Sequence, residues 1–211
     1  MIIQVISVAA LVSAVLCILG KYKERPNLIY VFKPLTTALI IVVAVLSGTN
    51  NVSVYLYVII GALFFSLLGD IFLMLDDSKF LYGLISFLTA HILFLVAFLF
   101  KGVFFTWWIV LIAVLIGGTL YMILYPSLGK MKIPVLIYVT IIFAMTWAAW
   151  ENQIQINNQG TLLAALGTLF FVVSDSNLAF NKFVKKYKPA EFIVLSTYFL
   201  SIWLIALSTS F

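Results

Sequence analysis

SVYLYVIIGALFFSLLGDIFLMLDD, Ser53 to Asp77, is an apolar run with one carboxylate inside it, Asp70, ahead of the acidic pair Asp76 and Asp77. The stretch 53–75 exceeds the roughly 20 residues of α-helix that cross the hydrocarbon core of a bilayer at about 1.5 Å per residue. It is continuous, without the period-two alternation of a barrel strand, so it reads as a transmembrane helix. Asp76 and Asp77 then mark its wet end, and Asp70 is a carboxylate placed in hydrocarbon.

The rest of the chain has the same character. Of 211 residues, 65% are hydrophobic and 9% charged, with mean hydropathy +1.23. A soluble domain carries about 25% charged residues, so too little polar surface exists here to coat a water-facing globule. Eight spans are expected, at 2–20, 34–48, 53–75, 80–100, 103–125, 134–150, 161–180 and 191–210. The fold class is an all-α integral membrane protein with eight transmembrane helices, forming a single polytopic domain over 1–211. Spans 2 and 6 are expected to be short and to begin at Pro34 and Pro134, because proline is tolerated in a first helical turn. The opening MIIQVISVAALVSAVLCILG lacks a basic leader region and its apolar run is long for a signal peptide, so it reads as a retained first helix. Cys17, alone and within that span, can form no intrachain disulfide and reads as a small buried apolar residue.

The net charge of +5 does not point to nucleic acid, because the basic residues sit in short loops between spans. Lys21, Lys23, Arg25 and Lys33 follow span 1, Lys79 follows span 3, Lys130 and Lys132 follow span 5, and Lys182, Lys185, Lys186 and Lys188 follow span 7. The opposite side receives only Lys101 and the polar ENQIQINNQG, 151–160. This positive-inside bias places both termini away from the cytoplasm. Spans 1–4 and 5–8 then form halves of equal orientation. Pro34 and Pro134 follow basic loops, and Asp70 and Asp175 come late in the third span of each half. Side-chain identity between the halves is poor, so a parallel duplication and a chance match both stay open.

Three ionisable residues, tyrosines aside, fall within the expected spans: Asp70, His91 and Asp175. Each costs about 2.5–3.5 kcal/mol in hydrocarbon on insertion scales and should face the bundle interior. Both aspartates are expected about five residues from the cytoplasmic ends of their spans, roughly 7–8 Å below the boundary. Two carboxyls in one cavity can divide the labour of acid–base chemistry, one holding a proton and one ionised. The bland alternative is that each bonds helices together. His91 reads equally as an interhelical donor. Tyr138 and Tyr198 lie deep enough to donate to a ligand, and Trp107 and Trp108 fit an interfacial belt. No HxxxH or ExxH spacing supports a metal site, and no cofactor is implied. The Gly117–Gly118 pair reads as close helix packing.

The order of several short motifs resembles the YhhN-type lysoplasmalogenase family. They are KPLT (Lys33 to Thr36), GDIFLML with Asp70, the Gly83, Phe87 and His91 series, PVLIY (Pro134 to Tyr138), SDSNLAF with Ser174 and Asp175, and TYFLS (Thr197 to Ser201). One departure lies in the last span, where the family pattern implies an Ala-Gln pair and this chain has Ser201 and Ile202. The resemblance implies an eight-helix membrane enzyme that hydrolyses the vinyl ether of a lysoplasmalogen to a fatty aldehyde and glycerophosphoethanolamine or glycerophosphocholine. Asp70 and Asp175 are the expected catalytic pair. Lys33, His91, Tyr138, Ser174 and Tyr198 are expected to contact a lysophospholipid substrate, with Lys33 and the basic loops attracting its phosphate. The partners are that lysolipid and the bilayer; a bacterial chain of this kind would sit in the inner membrane.

Rival readings use the same residues. A proton-coupled small-solute transporter could carry protons on the buried Asp and His, although the Gly and Pro residues give no paired helix interruption. An intramembrane aspartyl protease would need Gly at the position of Leu67 to make GxGD, and Ser174 precedes Asp175 where Tyr is usual. A non-catalytic lipid-binding protein would bind lysolipid without consuming it.

Overall fold

The computed structural model describes residues 1–49, 52–75, 77–102 and 104–211. Among them are eight helices: α1 (Ile2–Tyr22), α2 (Pro26–Ser47), α3 (Val54–Met74), α4 (Phe80–Lys101), α5 (Trp107–Leu124), α6 (Lys132–Ile156), α7 (Gln159–Phe183) and α8 (Ala190–Leu207). All eight are long and apolar enough to cross a membrane, and the protein is a multi-pass integral membrane protein. The expected boundary role of Asp76 and the expected start of span 5 at Val103 lie outside the described residues.

Two boundaries differ from expectation. α2 begins at Pro26, and Pro34 lies inside it. An interior proline removes a backbone hydrogen bond, which argued for a break, but proline is tolerated in membrane helices where neighbours re-satisfy the backbone. Lys33 therefore leaves the loop and joins the helix. α6 is not short either; it starts ahead of Pro134 and runs on through Ile156. The polar residues 151–156, expected as an outer loop, are helical, and Asn157 in a left-handed conformation ends them. Asn158 then caps α7, accepting from Thr161 N at 2.8 Å while Thr161 Oγ1 accepts from Asn158 N at 3.1 Å. This reciprocal cap leaves a two-residue connection.

Among the described residues, consecutive helices pack against one another, except α4 and α5. Beyond these neighbours, α4 packs on α6, and α8 packs on α2 and α1. α5 is peripheral, resting on α6 and lightly on α7, and makes no comparable contact with α4 among the described residues. The core holds Phe94, Phe98 and Phe171, all buried. Close approach sets the α3–α4 contact at Gly69, where an added Cβ would stand 2.6 Å from the Phe87 ring. Of the expected packing pair, Gly117 meets Phe143, while Gly118 faces open space.

Candidate functional site

Asp70 sits on α3, fully buried. Its Oδ2 accepts hydrogen bonds from Thr37 Oγ1 at 2.6 Å and Tyr198 Oη at 2.7 Å. Its Oδ1 faces Lys33 Nζ at 3.2 Å. Lys33 and Thr37 are four residues apart on α2, so one helical face presents an ammonium and a hydroxyl to the same carboxylate. Tyr198 arrives from α8. A buried carboxylate is tolerable only when paired and hydrogen-bonded, and here α2 and α8 supply both.

Asp175, on α7, stands in a different setting. Its Oδ2 accepts a hydrogen bond from Tyr138 Oη of α6. His91 Nε2 of α4 lies 3.7 Å from the same oxygen, beyond hydrogen-bonding distance. The side chain is 12% exposed, against 0% for Asp70. Asp175 and Tyr138 line a cavity of about 50 Å³ whose other walls, Ser176 aside, are apolar, among them Phe80 and Leu84 of α4, Leu120 and Leu124 of α5, and Phe183 of α7. A water needs roughly 10–15 Å³ measured this way, so the cavity admits a few waters or a small group. It lies toward the lysine-rich end, where α4 and α6 begin and α5 and α7 end. Two larger grooves, of about 480 and 490 Å³, are lined by α1, α2 and α8 and by α5 and α6 with no charged side chain.

An aromatic bridge joins the clusters. Phe171 lies edge-on to Tyr198 at 5.7 Å and to His91 at 4.6 Å, and His91 lies edge-on to Tyr138 at 5.2 Å. Phe87 backs Tyr198 at 5.7 Å.

Several expectations change here. The structure brings Asp70, Asp175, His91, Tyr138 and Tyr198 into one connected site. Lys33 turns inward to Asp70 rather than outward to a phosphate. Ser174 is buried and donates to the Val194 carbonyl at 3.1 Å, tying α7 to α8. His91 is not a satisfied interhelical donor: both its ring nitrogens are buried without a hydrogen-bond partner among the described residues. Counted from the helix ends, Asp70 lies four residues before Met74 and Asp175 eight before Phe183, about 6 and 12 Å, so the two do not share one level by that measure. The departure from the family pattern puts a buried, unpartnered hydroxyl at Ser201 and a buried Ile202.

The sequence reading missed Thr37, Phe171 and Glu151. Thr37 is visible in retrospect one turn beyond Lys33. Glu151, expected in a loop, is 2% exposed. It accepts from Thr106 N at 2.6 Å, Thr106 Oγ1 at 2.9 Å and Trp147 Nε1 at 2.9 Å, which fixes the start of α5. Among the described residues no three His, Cys, Asp or Glu side chains gather as a metal site.

Comparison with known proteins places this arrangement. A family model described as the YhhN family matches residues 28–209. The chain belongs to the YhhN family. Relatives within it include the bovine protein named lysoplasmalogenase TMEM86A, 34% identical over 151 residues, covering 69% of this chain and 62% of the relative. Human lysoplasmalogenase TMEM86B is 32% identical over 158 residues, covering 73% and 64%. The uncharacterized membrane protein YhhN of Escherichia coli O157:H7 is 24% identical over 202 residues, covering 95% and 96%. The chain thus spans less than two thirds of the TMEM86 relatives it matches and nearly all of the YhhN relative. No solved structure matches it.

Proposed function

We propose that the protein hydrolyses the vinyl ether bond of lysoplasmalogen, releasing a fatty aldehyde and a glycerophosphoethanolamine or glycerophosphocholine. The observation that carries this reading is Asp175 opening into an apolar-walled cavity among membrane-spanning helices, in a chain whose relatives include named lysoplasmalogenases. Vinyl ethers hydrolyse by protonation of the β-carbon, which leaves an oxocarbenium-like cation for water to capture. That chemistry needs a water-poor acid and nearby negative charge, as glycoside hydrolysis does. Asp70 and Asp175 are the carboxyls the site offers for it. Tyr138 orients Asp175, and His91 lies where a reacting group at Asp175 would meet its ring.

The lysine-rich end faces the cytoplasm and both termini face away. The whole of 1–211 acts as one transmembrane domain, in the inner membrane of a bacterial cell. Substrate enters from the cytoplasmic leaflet with its ether just below the headgroup, at the level of the cavity. Its tail lies out between α4 and α5, because about 50 Å³ cannot hold a chain. Two parallel halves fit the packing, in which α4 meets α6 as α8 meets α2. The test is purified protein incubated with lysoplasmalogen and with its ester counterpart, assaying aldehyde and fatty acid. Aldehyde from the vinyl ether alone supports the reading, and lysolipid that binds without being consumed refutes it.

A further inference from the structure

We propose that Asp175 alone exchanges protons with the substrate, first as acid and then as base, while Asp70 is a positioning residue, ion-paired with Lys33, that substrate never touches. The proposal rests on the ether-hydrolase reading above and decides which aspartate does which job.

Three observations carry it. Asp175 lines the cavity, whereas Asp70 has no exposed surface and lines none of the three cavities described. Both oxygens of Asp70 are engaged, Oδ1 facing Lys33 and Oδ2 bonded to Thr37 and Tyr198. The opposite charge at 3.2 Å makes Asp70 a poor source of net negative charge for a distant cation. The third is packing: α5 stands off α4 on the Asp175 side and leaves the cavity there, whereas the groove between α1, α2 and α8 is lined by neither Asp70 nor its partners Lys33, Thr37 and Tyr198. Asp70 reaches the reaction only through Tyr198, Phe171 and His91, whose rings stand edge-on in sequence.

One carboxyl suffices for the chemistry. The Asp175 acid gives its proton to the β-carbon, the C=C electron pair forming the new C–H bond and leaving the oxocarbenium at the α-carbon. The resulting carboxylate lies against that cation. Water adds to the α-carbon and returns a proton to Asp175. The hemiacetal then breaks its C–O bond, its hydroxyl proton passing to the departing glycerol oxygen. One water is consumed and the acid is restored.

The experiment uses the full chain in lipid nanodiscs, a 1-alkenyl lysophosphoethanolamine as substrate and aldehyde release as readout, with gel filtration to confirm folding. Asp70→Asn and Lys33→Met each strand a buried partner and should lower kcat at least tenfold. The double variant Lys33→Met/Asp70→Asn removes both charges and should recover to within about tenfold of wild type with KM little changed. Asp175→Asn should lose at least 10²-fold in either background. Thr37→Val, which removes one donor to Asp70 and the contact with Tyr198, should lower kcat without moving the pH profile, whereas Asp175→Glu should move it. A folded double variant as inactive as Asp175→Asn, or a pH limb that moves with Thr37→Val, overturns the proposal. Wild-type protein that releases no aldehyde overturns the ether-hydrolase reading instead, before any variant is compared.

Discussion

Glu151 gives the most direct energetic test of the fold around the site. α5 is the peripheral helix, and its Leu120 and Leu124 wall the Asp175 cavity. Its start is held by Glu151 of α6, which takes three hydrogen bonds, two from Thr106 and one from Trp147. Glu151→Ala leaves all three donors without their acceptor. A buried unsatisfied donor costs about 1–3 kcal/mol, and Thr106 and Trp147 are only partly buried, so the lower end applies to each. The sum is about 3 kcal/mol, and at about 2–4 °C per kcal/mol for a chain of this size, Tm should fall by about 6–12 °C. Glu151→Gln keeps one carbonyl acceptor and should lose about a third of that. Scanning fluorimetry in detergent reads both shifts. Because the loosened helix walls the cavity, KM for lysolipid should rise in Glu151→Ala more than kcat falls. A Tm within 2 °C of wild type for Glu151→Ala, read against the roughly 2–4 °C that one kcal/mol is worth, would mean that Glu151 does not hold α5, and the account of the cavity wall would fail with it.

Tyr138→Phe removes the donor to Asp175 and keeps the ring. A hydrogen bond to a charged group is worth about 1.5–3 kcal/mol, so kcat should fall about tenfold to a hundredfold with Tm little changed; full activity would remove Tyr138 from the site. Gly69→Ala sets a methyl 2.6 Å from the Phe87 ring that backs Tyr198, and overpacking of about 1–3 kcal/mol should lower Tm and aldehyde release together. With Cys17 replaced by Ala, a cysteine at Asn158 should label with an impermeant maleimide from outside intact cells, and one at Lys186 only after lysis. The reverse pattern would invert the orientation.

The eight spans were legible because hydrophobic run length is a direct reading of bilayer thickness. What misled was punctuation. Pro34 looked like a start, yet in a membrane helix the missing N–H can be tolerated in the interior, so the reading cut α2 eight residues late and left Lys33 in water. ENQIQI looked like a loop because its side chains are polar, but Glu151 accepts from Thr106 and Trp147, and Asn152 Nδ2 donates to the Phe98 carbonyl. Thr106 and Phe98 come from distant sequence, and no local pattern announces them. Asp70, Asp175 and His91 were found for the opposite reason, since a charge in hydrocarbon needs a cause. Thr37 and Phe171 are ordinary residues for a membrane helix, and only tertiary placement distinguishes them.

The same boundary error hid the difference between the two aspartates. With Lys33 in a loop, Asp70 and Asp175 look alike, each a lone carboxylate late in a span. With Lys33 inside α2, one turn before Thr37, the space beside Asp70 is filled by a cation and two hydroxyls. Asp175 takes its hydrogen bond from Tyr138, and the space beside it is a cavity. Lys33 thus faces one carboxyl, while the other lines a cavity. The Lys33–Asp70 pair ties α2, α3 and α8 together, whereas a carboxyl that lines a cavity is reachable by a neutral ether. That asymmetry is set by one residue, which is why exchanging the Lys33–Asp70 pair for neutral side chains separates structure from chemistry more cleanly than removing either aspartate alone.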